Sequence, residues 1–415
     1  MNMTDTEFID LLKKFEQNKM IDCFRAMNEA DKERILRQTE LMDFNCLQYA
    51  KSGEDKPRGV ISPIRTMKLA EIDEKREHYR EIGIKAIQEG KIAALVLGGG
   101  MGTRLGSPHA KGMFDIGTSK NVYIYQRMIE NMLDVVKEAK TWIPLIIMTS
   151  YINDAETRQF LWDKKCFGYN PKYISFFIQD MAPCLDENDQ MMLAKPDELA
   201  MSPNGNGGFY SSMINCGLAD KCKKAGIEYL NVFAVDNVLQ RIADPVFIGA
   251  TIESGCATGA KVVKKSNPGE RVGSICMEDG APSVVEYYEM TEELLDAVDE
   301  TGEPAYSYGV ILNYLFKLEV MDSVVKEKLP FHKVKKKVPY LAKVDDSPTG
   351  YATIQPAEPN AFKLETLTLD MVHLMGTCLP FEVIREKEFA PIKNAMGVDS
   401  VQTARELLLL NGYEL

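Results

Sequence analysis

The stretch Lys91-Ile-Ala-Ala-Leu-Val-Leu-Gly-Gly-Gly-Met-Gly-Thr-Arg-Leu-Gly106 decides the fold expected for this chain. Its first part, Ile92 to Leu97, is a short continuous run of apolar residues, which predicts a strand buried on both faces of a parallel sheet. Its second part is rich in glycine, so the backbone there can turn sharply and approach a bound group closely. A buried strand followed by such a loop indicates a phosphate-binding edge of an α/β domain.

Further apolar runs follow, with helical stretches between them. They are Leu145 to Met148, Ile174 to Ile178 and Leu230 to Val235. Strands that alternate with helices predict βαβ crossovers and a doubly wound sheet. From Lys261 to Glu289, β-branched segments alternate with turns at Asn267-Pro268-Gly269 and Asp279-Gly280. These segments predict antiparallel hairpins added to the same sheet, so the expected sheet is mixed.

Residues 1–90 read as a helical N-terminal layer, and residues 91–415 as one large α/β domain. Phe8, Leu11, Leu12 and Phe15 have the spacing of one apolar helix face. The other expected elements are a helix that Asp31 precedes and that runs through Leu41, a loop or linker at 52–63, a helix from Ala70 to Gln88 ended by Gly90, and a last helix around Thr403 to Leu410.

Composition excludes several classes of protein. The chain has 415 residues, with 61 acidic against 49 basic side chains and a formal net charge of −12. This charge disfavours a nucleic-acid partner, whose phosphates need Lys and Arg, and an anionic ligand would require a local cationic pocket. The nine cysteines are scattered without a C-x-x-C pair, which favours reduced thiols and a cytoplasmic location over disulfides or zinc. Neither a targeting signal nor a membrane partner is expected, because no apolar run is long enough to span a bilayer.

Three phosphate-binding motifs compete for the glycine-rich loop. A Walker A loop ends in Gly-Lys-Ser/Thr, but Gly102-Thr103-Arg104 stands there, which disfavours a P-loop ATPase. A dinucleotide fingerprint needs a third glycine where Leu105 stands, so the oxidoreductase interpretation is weak. The third motif is G-G-x-G-T-R-L followed shortly by a lysine, here Lys111. A turn whose glycines serve packing alone does not explain Arg104 and Lys111 together.

The third motif is typical of nucleoside-diphosphate-sugar pyrophosphorylases, and the chain resembles the eukaryotic-type UDP-N-acetylhexosamine pyrophosphorylases from about Lys91 to Leu409. Members of that family convert UTP and N-acetylglucosamine 1-phosphate into UDP-N-acetylglucosamine and pyrophosphate. The segments that carry the resemblance are Leu97–Gly106 with Lys111-Gly-Met-Phe-Asp115, Phe176-Phe-Ile-Gln179, Pro203-Asn-Gly-Asn-Gly-Gly-Phe-Tyr210, Val235-Asp-Asn237 with Ala243–Gly249, Gly259-Ala-Lys-Val-Val263, Val284-Val-Glu-Tyr287 and Phe389-Ala-Pro-Ile-Lys-Asn394.

The resemblance implies a Rossmann-like, GT-A-like nucleotidyltransferase domain over residues 91–415 and a cytoplasmic UDP-N-acetylglucosamine pyrophosphorylase. The family's C-terminal β-rich extension has no counterpart in this sequence, so none of sizeable extent is expected. The oligomeric state is left open by the sequence, which is compatible with a monomer. Such an enzyme needs no nucleophilic side chain, because the sugar phosphate is itself an ionised nucleophile. It has to align two polyanions and neutralise their charge.

Carried over residue by residue, the resemblance also implies the site. Arg104 and Lys111 are expected to face the leaving phosphates and Lys393 to reach the α-phosphate or the sugar phosphate, which makes these three the expected catalytic residues. Asp236 is expected to hold Mg²⁺, with Mn²⁺ as a substitute. The expected UTP contacts are Leu97, Gly98, Gly99, Gly100, Lys111, Gln179, Gly205, Asp236 and Lys393. The expected sugar contacts are Asn206, Glu286, Tyr287 and Asn313.

Two departures from the family pattern leave alternatives open. The family usually has Phe-Asn-x-Gly-Asn-Ile-x-Asn where this chain reads Tyr306-Ser-Tyr-Gly-Val-Ile-Leu-Asn313, so Val310 replaces an asparagine expected to contact the sugar. Ala110 replaces a proline before the motif lysine. The acceptor could therefore be N-acetylgalactosamine, glucose or galactose 1-phosphate, or the chain could be a non-catalytic UDP-sugar sensor. The retained cations argue against a sensor, which has no leaving group to hold.

Several of these residues also have a purely structural interpretation. Asp236 with Asn237 could cap a turn, and Glu286 with Tyr287 could be a cross-strand pair. Outside the motifs, His109 is interpreted as a surface residue or a phosphate contact, and Asp370 as a second metal ligand or none. His373 is interpreted as a core or interface residue in preference to a ligand, and Lys333–Val338 as a solvated strand or loop edge in preference to a phosphate-steering patch.

Overall fold

The computed structural model describes residues 3–40, 42–44, 46–50, 58–327, 329–345 and 350–415. The helices are α1 (Asp5–Lys14), α2 (Asn18–Ala26), α3 (Glu29–Thr39), α4 (Cys46–Ala50), α5 (Leu69–Glu74), α6 (Arg76–Gln88), α7 (Ile124–Ala139), α8 (Asp154–Asp163), α9 (Phe209–Asn215), α10 (Leu218–Lys224), α11 (Pro245–Ser254), α12 (Glu292–Asp296), α13 (Leu318–Glu327), α14 (Thr368–Leu374), α15 (Arg385–Glu388) and α16 (Val401–Leu410).

The strands are β1 (Ile61–Ser62), β2 (Ile92–Leu97), β3 (Leu145–Thr149), β4 (Ile174–Ile178), β5 (Met181–Pro183), β6 (Leu193–Lys195), β7 (Glu198–Leu199), β8 (Met201–Pro203), β9 (Tyr229–Ala234), β10 (Thr258–Lys264), β11 (Ser274–Glu278), β12 (Ala281–Val285), β13 (Tyr308–Lys317), β14 (His332–Lys336), β15 (Tyr340–Lys343), β16 (Tyr351–Ile354), β17 (Ala361–Glu365) and β18 (Cys378–Glu382).

The chain divides into two units that interleave along the sequence. The smaller unit takes Met1–Pro57, Gln179–Phe209 and Leu329–Thr368, and the larger takes Arg58–Ile178, Tyr210–Lys328 and Leu369–Leu415. This division differs from the boundary expected at residue 90, since residues 58–90, including α5 and α6, belong to the larger unit. Among the described residues, no helix combines the length and apolar character needed to cross a bilayer.

The larger unit is built on a ten-stranded mixed sheet in the order β1-β11-β13-β9-β2-β3-β4, with β10, β12 and β18 attached beside this path. β2 pairs in parallel with both β3 and β9, and β3 pairs in parallel with β4. The apolar runs predicted these four strands and their βαβ arrangement, and this prediction is confirmed. β2, β3 and β9 are buried, whereas β4 is mostly half-buried. α7 buries Met128 and Met132 in the same apolar cluster as Val96 of β2 and Phe233 of β9.

The antiparallel part of the sheet agrees only partly with the prediction. β11 and β12 form the expected hairpin, and Asp279 and Gly280 in its turn both have positive φ, as a two-residue hairpin loop requires. The turn at Asn267-Pro268-Gly269 does not close a hairpin, because β10 pairs antiparallel with β13 and in parallel with β18. The partners of β10 are distant in sequence, so local turn chemistry does not reveal them.

The smaller unit contains α1 to α4 and short antiparallel strand pairs, namely β5 with β8, β6 with β7, β14 with β17 and β15 with β16. The predicted apolar face of α1 is confirmed, because Phe8, Leu12 and Phe15 are buried and Leu11 packs against them. α3 begins at Glu29, capped by the side chain of Asn28, so the expectation that Asp31 precedes this helix is wrong. Leu41, the expected end, lies outside the described residues.

Three further predictions concern the larger unit. The helix expected from Ala70 to Gln88 is two helices, α5 and α6, separated at Lys75, and Gly90 ends the second one with a φ of +72°. The first part of the loop expected at 52–63, up to Pro57, lies outside the described residues. The rest of it contains the short strand β1, which pairs with β11. The predicted last helix is confirmed as α16, which begins two residues earlier behind Ser400 as its N-cap.

Candidate functional site

The glycine-rich loop starts where β2 ends, at Leu97. The Gly98 N–H donates to the Met148 carbonyl at 2.9 Å, and the Asn153 amide donates to the Gly98 carbonyl at 3.1 Å. A Cβ on Gly98 would lie 2.6 Å from the Tyr125 hydroxyl, so glycine is required there by close packing. Gly99 is partly exposed and Gly100 is exposed, which leaves the loop backbone accessible to a ligand.

The loop then folds back and places Lys111 beside its start. The Lys111 N–H donates to the Gly100 carbonyl at 3.0 Å, and the Gly102 N–H donates to the His109 carbonyl at 2.8 Å. Ala110 has a φ of −55°, close to the value that a proline imposes, so its replacement of the family's proline keeps the same backbone form. Arg104 lies exposed in the short 3-10 helix Thr103–Leu105.

The ammonium of Lys111 meets the carboxylate of Asp236, which follows β9. Lys111 Nζ lies 3.3 Å from Asp236 Oδ2, and the two side chains are only 17% and 22% exposed. Two predicted site residues that are 125 positions apart are thus in contact. Asp236 therefore does more than cap a turn, which was its structural interpretation.

The segment that carries Lys393 runs beside Asp236. The Ile392 N–H donates to the Asp236 carbonyl at 2.9 Å, so the residue before Lys393 is fixed to the residue expected to hold the metal. The Lys393 ammonium lies 3.1 Å from Asp399 Oδ2 and is 39% exposed. Asp399 was not predicted as a partner, because its spacing from Lys393 has no distinctive pattern.

Glu286 and Tyr287 follow β12, which ends at Val285, so they are not a cross-strand pair. The Glu286 N–H donates to Glu289 Oε2 at 2.9 Å, while Tyr287 is exposed. Burial raises the pKa of the Glu286 carboxyl above its ordinary value, and the charge of Glu289 also raises it, while Lys393 lowers it. Glu286 is thus a poorly solvated carboxylate within the electrostatic reach of Lys393.

Val310 borders Glu286 across Gly273. A Cβ on Gly273 would lie 3.7 Å from Glu286 Oε2, 3.7 Å from Val310 Cγ2 and 2.7 Å from Val284 Cγ1. The Val310 N–H donates to the Gly273 carbonyl at 2.9 Å, which fixes the two segments side by side. The departure at Val310 therefore lies next to a predicted sugar contact.

The side chain of Asn313 uses its hydrogen-bonding atoms within the protein. It is fully buried in β13, where its amide donates to Gln240 Oε1 at 3.2 Å and accepts from the Asn231 amide at 2.8 Å. The bond with Asn231 links β13 to β9 inside the sheet, and the bond with Gln240 links β13 to the segment after β9. The sugar contact expected for Asn313 stays a prediction, and the structure gives this side chain a framework role.

The smaller unit holds the remaining predicted residues together. The buried Gln179 amide donates to the Gly205 carbonyl at 2.6 Å and lies 3.3 Å from Asn204 Oδ1. Asn206 Oδ1 accepts from the Thr368 N–H at 2.9 Å. Gly205 has a φ of +89°, and a Cβ there would lie 2.1 Å from the Thr366 carbonyl oxygen. Gln179 and Gly205 thus form one rigid cluster. Asn204 belongs to the same cluster, although the sequence did not single it out.

Asp236 fits a magnesium site of limited size. Among the described residues, no group of three or more His, Cys, Asp or Glu side chains could hold a metal ion. Mg²⁺ bound with a nucleotide usually takes one or two carboxylates, and the phosphates and water supply the other oxygens. One partly exposed carboxylate at a strand end satisfies that requirement. Asp370, the alternative second ligand, lies within electrostatic reach of Glu286 and raises the pKa of that carboxyl.

Residues with weaker sequence signals have structural partners. His109 is exposed and pairs with Glu156. His373 is partly buried, and its Nδ1 lies 3.2 Å from the Pro282 carbonyl oxygen. Within the basic run, Lys333 pairs with Asp189 and Lys335 with Glu187, so these residues of β14 form a strand edge with charge partners.

Comparisons with known proteins identify the family to which this chain is similar. A profile of the family described as UTP–glucose-1-phosphate uridylyltransferase matches residues 48–410. The chain is 33% identical to the UDP-N-acetylglucosamine pyrophosphorylase of Saccharomyces cerevisiae, over 97% of this chain and 89% of that one. It is 32% identical to UDP-N-acetylglucosamine diphosphorylase 1 of Arabidopsis thaliana, over 97% and 82% of the two chains. A similar solved structure is the Trypanosoma brucei uridine diphosphate N-acetylglucosamine pyrophosphorylase in complex with inhibitor, with a TM-score of 0.83, 25% identity and coverage of 99% and 85%.

Proposed function

This chain belongs to the UTP–glucose-1-phosphate uridylyltransferase family, and on that premise we propose that it makes UDP-N-acetylglucosamine and pyrophosphate from UTP and N-acetylglucosamine 1-phosphate. The family resemblance read from the motifs is confirmed. The chain is a uridylyltransferase with a mixed α/β fold, and the acceptor is taken from the printed names of the yeast and plant relatives.

The observation that carries the proposal is the pairing of Lys111 with Asp236 beside the Lys393 segment. It supports a site with fixed cations and one hard carboxylate where negative charge must be neutralised. We assign Lys111 and Arg104 to the β and γ phosphates that leave as pyrophosphate. Lys393 binds the α-phosphate or the incoming sugar phosphate and so holds the two anions in line.

Asp236 is the residue that would hold Mg²⁺, or Mn²⁺ in its place. Such an ion would supply further neutralisation of charge on the phosphates. In this structure, the carboxylate pairs with the ammonium of Lys111 at 3.3 Å. Binding of the nucleotide would therefore replace this pair by a contact of Lys111 with the phosphates, while Asp236 would hold the cation that accompanies them.

We assign recognition of uracil to the backbone of Leu97 to Gly100 and to Gln179 with the backbone of Gly205. A pyrimidine edge requires both donors and acceptors at fixed positions, and the hydrogen bond from Gln179 to Gly205 supports such rigidity. The sugar contacts assigned are Asn206, Glu286 and Tyr287, whereas Asn313 is bonded within the sheet and is not proposed as a contact. A carboxylate such as Glu286 accepts hydrogen bonds from sugar hydroxyls.

We also place the reaction in the cytoplasm. All nine cysteines are free thiols, which suits a reducing compartment.

Pyrophosphate release tests the proposed function. Purified protein with UTP, Mg²⁺ and N-acetylglucosamine 1-phosphate is expected to release pyrophosphate and UDP-N-acetylglucosamine in equal amounts. The Lys111→Ala variant, prepared in the same way, controls for a contaminating enzyme. Absence of pyrophosphate release by the wild-type protein would contradict the proposal.

A further inference from the structure

The segment Glu388–Ile392, which leads to Lys393, is held against the turn after β9 by the side chain of Asn237. The Asn237 amide donates to the Glu388 carbonyl at 2.8 Å, and its oxygen accepts from the Ala390 N–H at 2.9 Å. Asn237 is 1% exposed. One buried carboxamide therefore bridges two points of the segment, and the Ile392 N–H continues the contact to the Asp236 carbonyl.

The far end of this segment is anchored by a buried ion pair. Lys261 of β10 is 0% exposed, and its Nζ lies 2.6 Å from Glu388 Oε2 and 3.1 Å from Asp244 Oδ2. Burial raises the pKa of Glu388, with Lys261 opposing the shift and Asp244 adding to it. Burying three charges is costly in free energy, and an apolar cluster of similar volume is often at least as stable. Stability alone therefore does not explain this arrangement, whereas fixing the start of the segment does.

The other end of the segment is fixed by backbone bonds. The Lys393 and Asn394 N–H groups both donate to the Asp399 carbonyl, at 2.6 and 3.0 Å. Lys393 is thus held by Asn237 and the ion pair on one side and by Asp399 on the other. Its side chain is 39% exposed, while hydrogen bonds fix the backbone on both sides of it. The position of the Lys393 cation is therefore set before a ligand binds.

We propose that Asn237 is a positioning residue for uridylyl transfer, which fixes the Lys393 segment at one distance from Asp236. The inference rests on the proposed function and assigns to Asn237 no contact with substrate. Asn237 immediately follows Asp236, so its carboxamide couples the backbone of the expected metal ligand to the backbone before Lys393. A shift of about 1 Å in such a relationship is enough to slow chemistry by about 100-fold.

The test combines hydrogen exchange with kinetics on Asn237→Asp, which keeps the shape of the side chain and replaces its donor with an acceptor. Asn360→Asp is the matched control, because the Asn360 amide also bridges backbone groups, donating to the Val338 carbonyl at 3.0 Å and accepting from the Val338 N–H at 2.8 Å. We expect faster exchange at the Ala390 and Ile392 amides in Asn237→Asp, with α16 still protected. We expect a kcat about 100-fold lower per folded molecule, with KM for UTP within about threefold of wild type.

Glu388→Gln serves as a second variant that keeps the carbonyl bound by Asn237. It weakens only the ion pair, so we expect a drop in kcat of about tenfold with the same KM pattern. Unchanged exchange at Ala390 and Ile392 in Asn237→Asp, or lost protection with a wild-type kcat, would overturn the proposal. An equal loss of kcat in Asn360→Asp would do so too. If the wild type releases no pyrophosphate, the proposed function fails, and the exchange comparison still decides whether Asn237 holds the segment.

Discussion

Lys111 Nζ lies 3.3 Å from Asp236 Oδ2, and this pair joins the glycine-rich loop after β2 to the carboxyl end of the neighbouring parallel strand β9. Ligands of open α/β sheets bind at such strand ends. In this structure the two charges neutralise each other at a partly buried position. A triphosphate carrying a divalent cation offers each of them a partner of opposite charge: the phosphates for Lys111 and the cation for Asp236. The pair can therefore separate when such a ligand binds, without leaving either charge unpaired.

Lys111→Ala tests the cationic half of the pair. Removal of the ammonium leaves charge on the leaving phosphates less neutralised, so kcat should fall by about 100- to 1,000-fold. Lys137→Ala is the control, because Lys137 is 74% exposed. Among the described residues, its salt-bridge partner is the exposed Asp134. Steady-state kinetics with thermal melting separates chemistry from folding. A variant with near-normal turnover would show that Lys111 does not hold the leaving group.

Val310→Asn tests whether the departure next to Glu286 sets acceptor preference. A new hydrogen bond to the acceptor worth about 1–3 kcal/mol should raise kcat/KM for N-acetylglucosamine 1-phosphate by about 5- to 150-fold relative to glucose 1-phosphate. Val310→Thr, similar in shape but without an amide, should leave that ratio near the wild-type value. Identical ratios in all three proteins would remove Val310 from the acceptor site.

Glu286→Gln should raise the stability of the folded protein at neutral pH and lower its activity. Because burial raises the pKa of this carboxyl in the folded state, the charged form at neutral pH costs folding free energy. That cost is present above the folded pKa and disappears as pH falls below the unfolded value of about 4.3. The variant should therefore melt at a higher temperature than wild type at pH 7, and the difference should shrink towards pH 4. Its kcat/KM for the acceptor should fall. A lower melting temperature at pH 7 would contradict this account.

Gly205→Ala tests the rigidity of the Gln179 cluster. Strain at a φ of +89° adds to a contact of 2.1 Å with the Thr366 carbonyl, so we expect a loss of about 2 to 6 kcal/mol in the free energy of unfolding. Gly350→Ala is the matched control in the same unit, because Gly350 has a φ of +72° but nothing within 4 Å of a Cβ. It should cost only about 1–2 kcal/mol. Equal losses in chemical denaturation would show that the contact with Thr366 is relieved easily.

Local sequence was sufficient where local chemistry determines structure. The apolar run of β2, the αL glycine at Gly90 and the Asp279-Gly280 turn each contain their own signal. The partners of β10 could not be predicted, because pairing with β13 and β18 is decided by contacts between distant segments. Asn28 was missed as the N-cap of α3 because Asp31, another residue of a type that often caps helices, follows three positions later.

The candidate site depended on the family resemblance more than on pattern. No periodicity links Lys111, Asp236 and Lys393, whose grouping arises from parallel strand order and the return of the chain after α15. Asn313 shows that a motif position can mislead, because its buried side chain links β13 to β9 through Asn231 and to the segment after β9 through Gln240. Asn237 belonged to a family motif that assigned it no role at the site, and Asp399 carried no distinctive sequence signal, since their roles lie in hydrogen bonds to backbone and to one lysine.

The most direct test of the central claim compares four acceptors with UTP and Mg²⁺ by the initial rate of pyrophosphate release. The acceptors are N-acetylglucosamine, N-acetylgalactosamine, glucose and galactose 1-phosphate. The account predicts measurable turnover with the highest kcat/KM for N-acetylglucosamine 1-phosphate. A higher kcat/KM for glucose or galactose 1-phosphate, or no pyrophosphate release with any of the four, would contradict it.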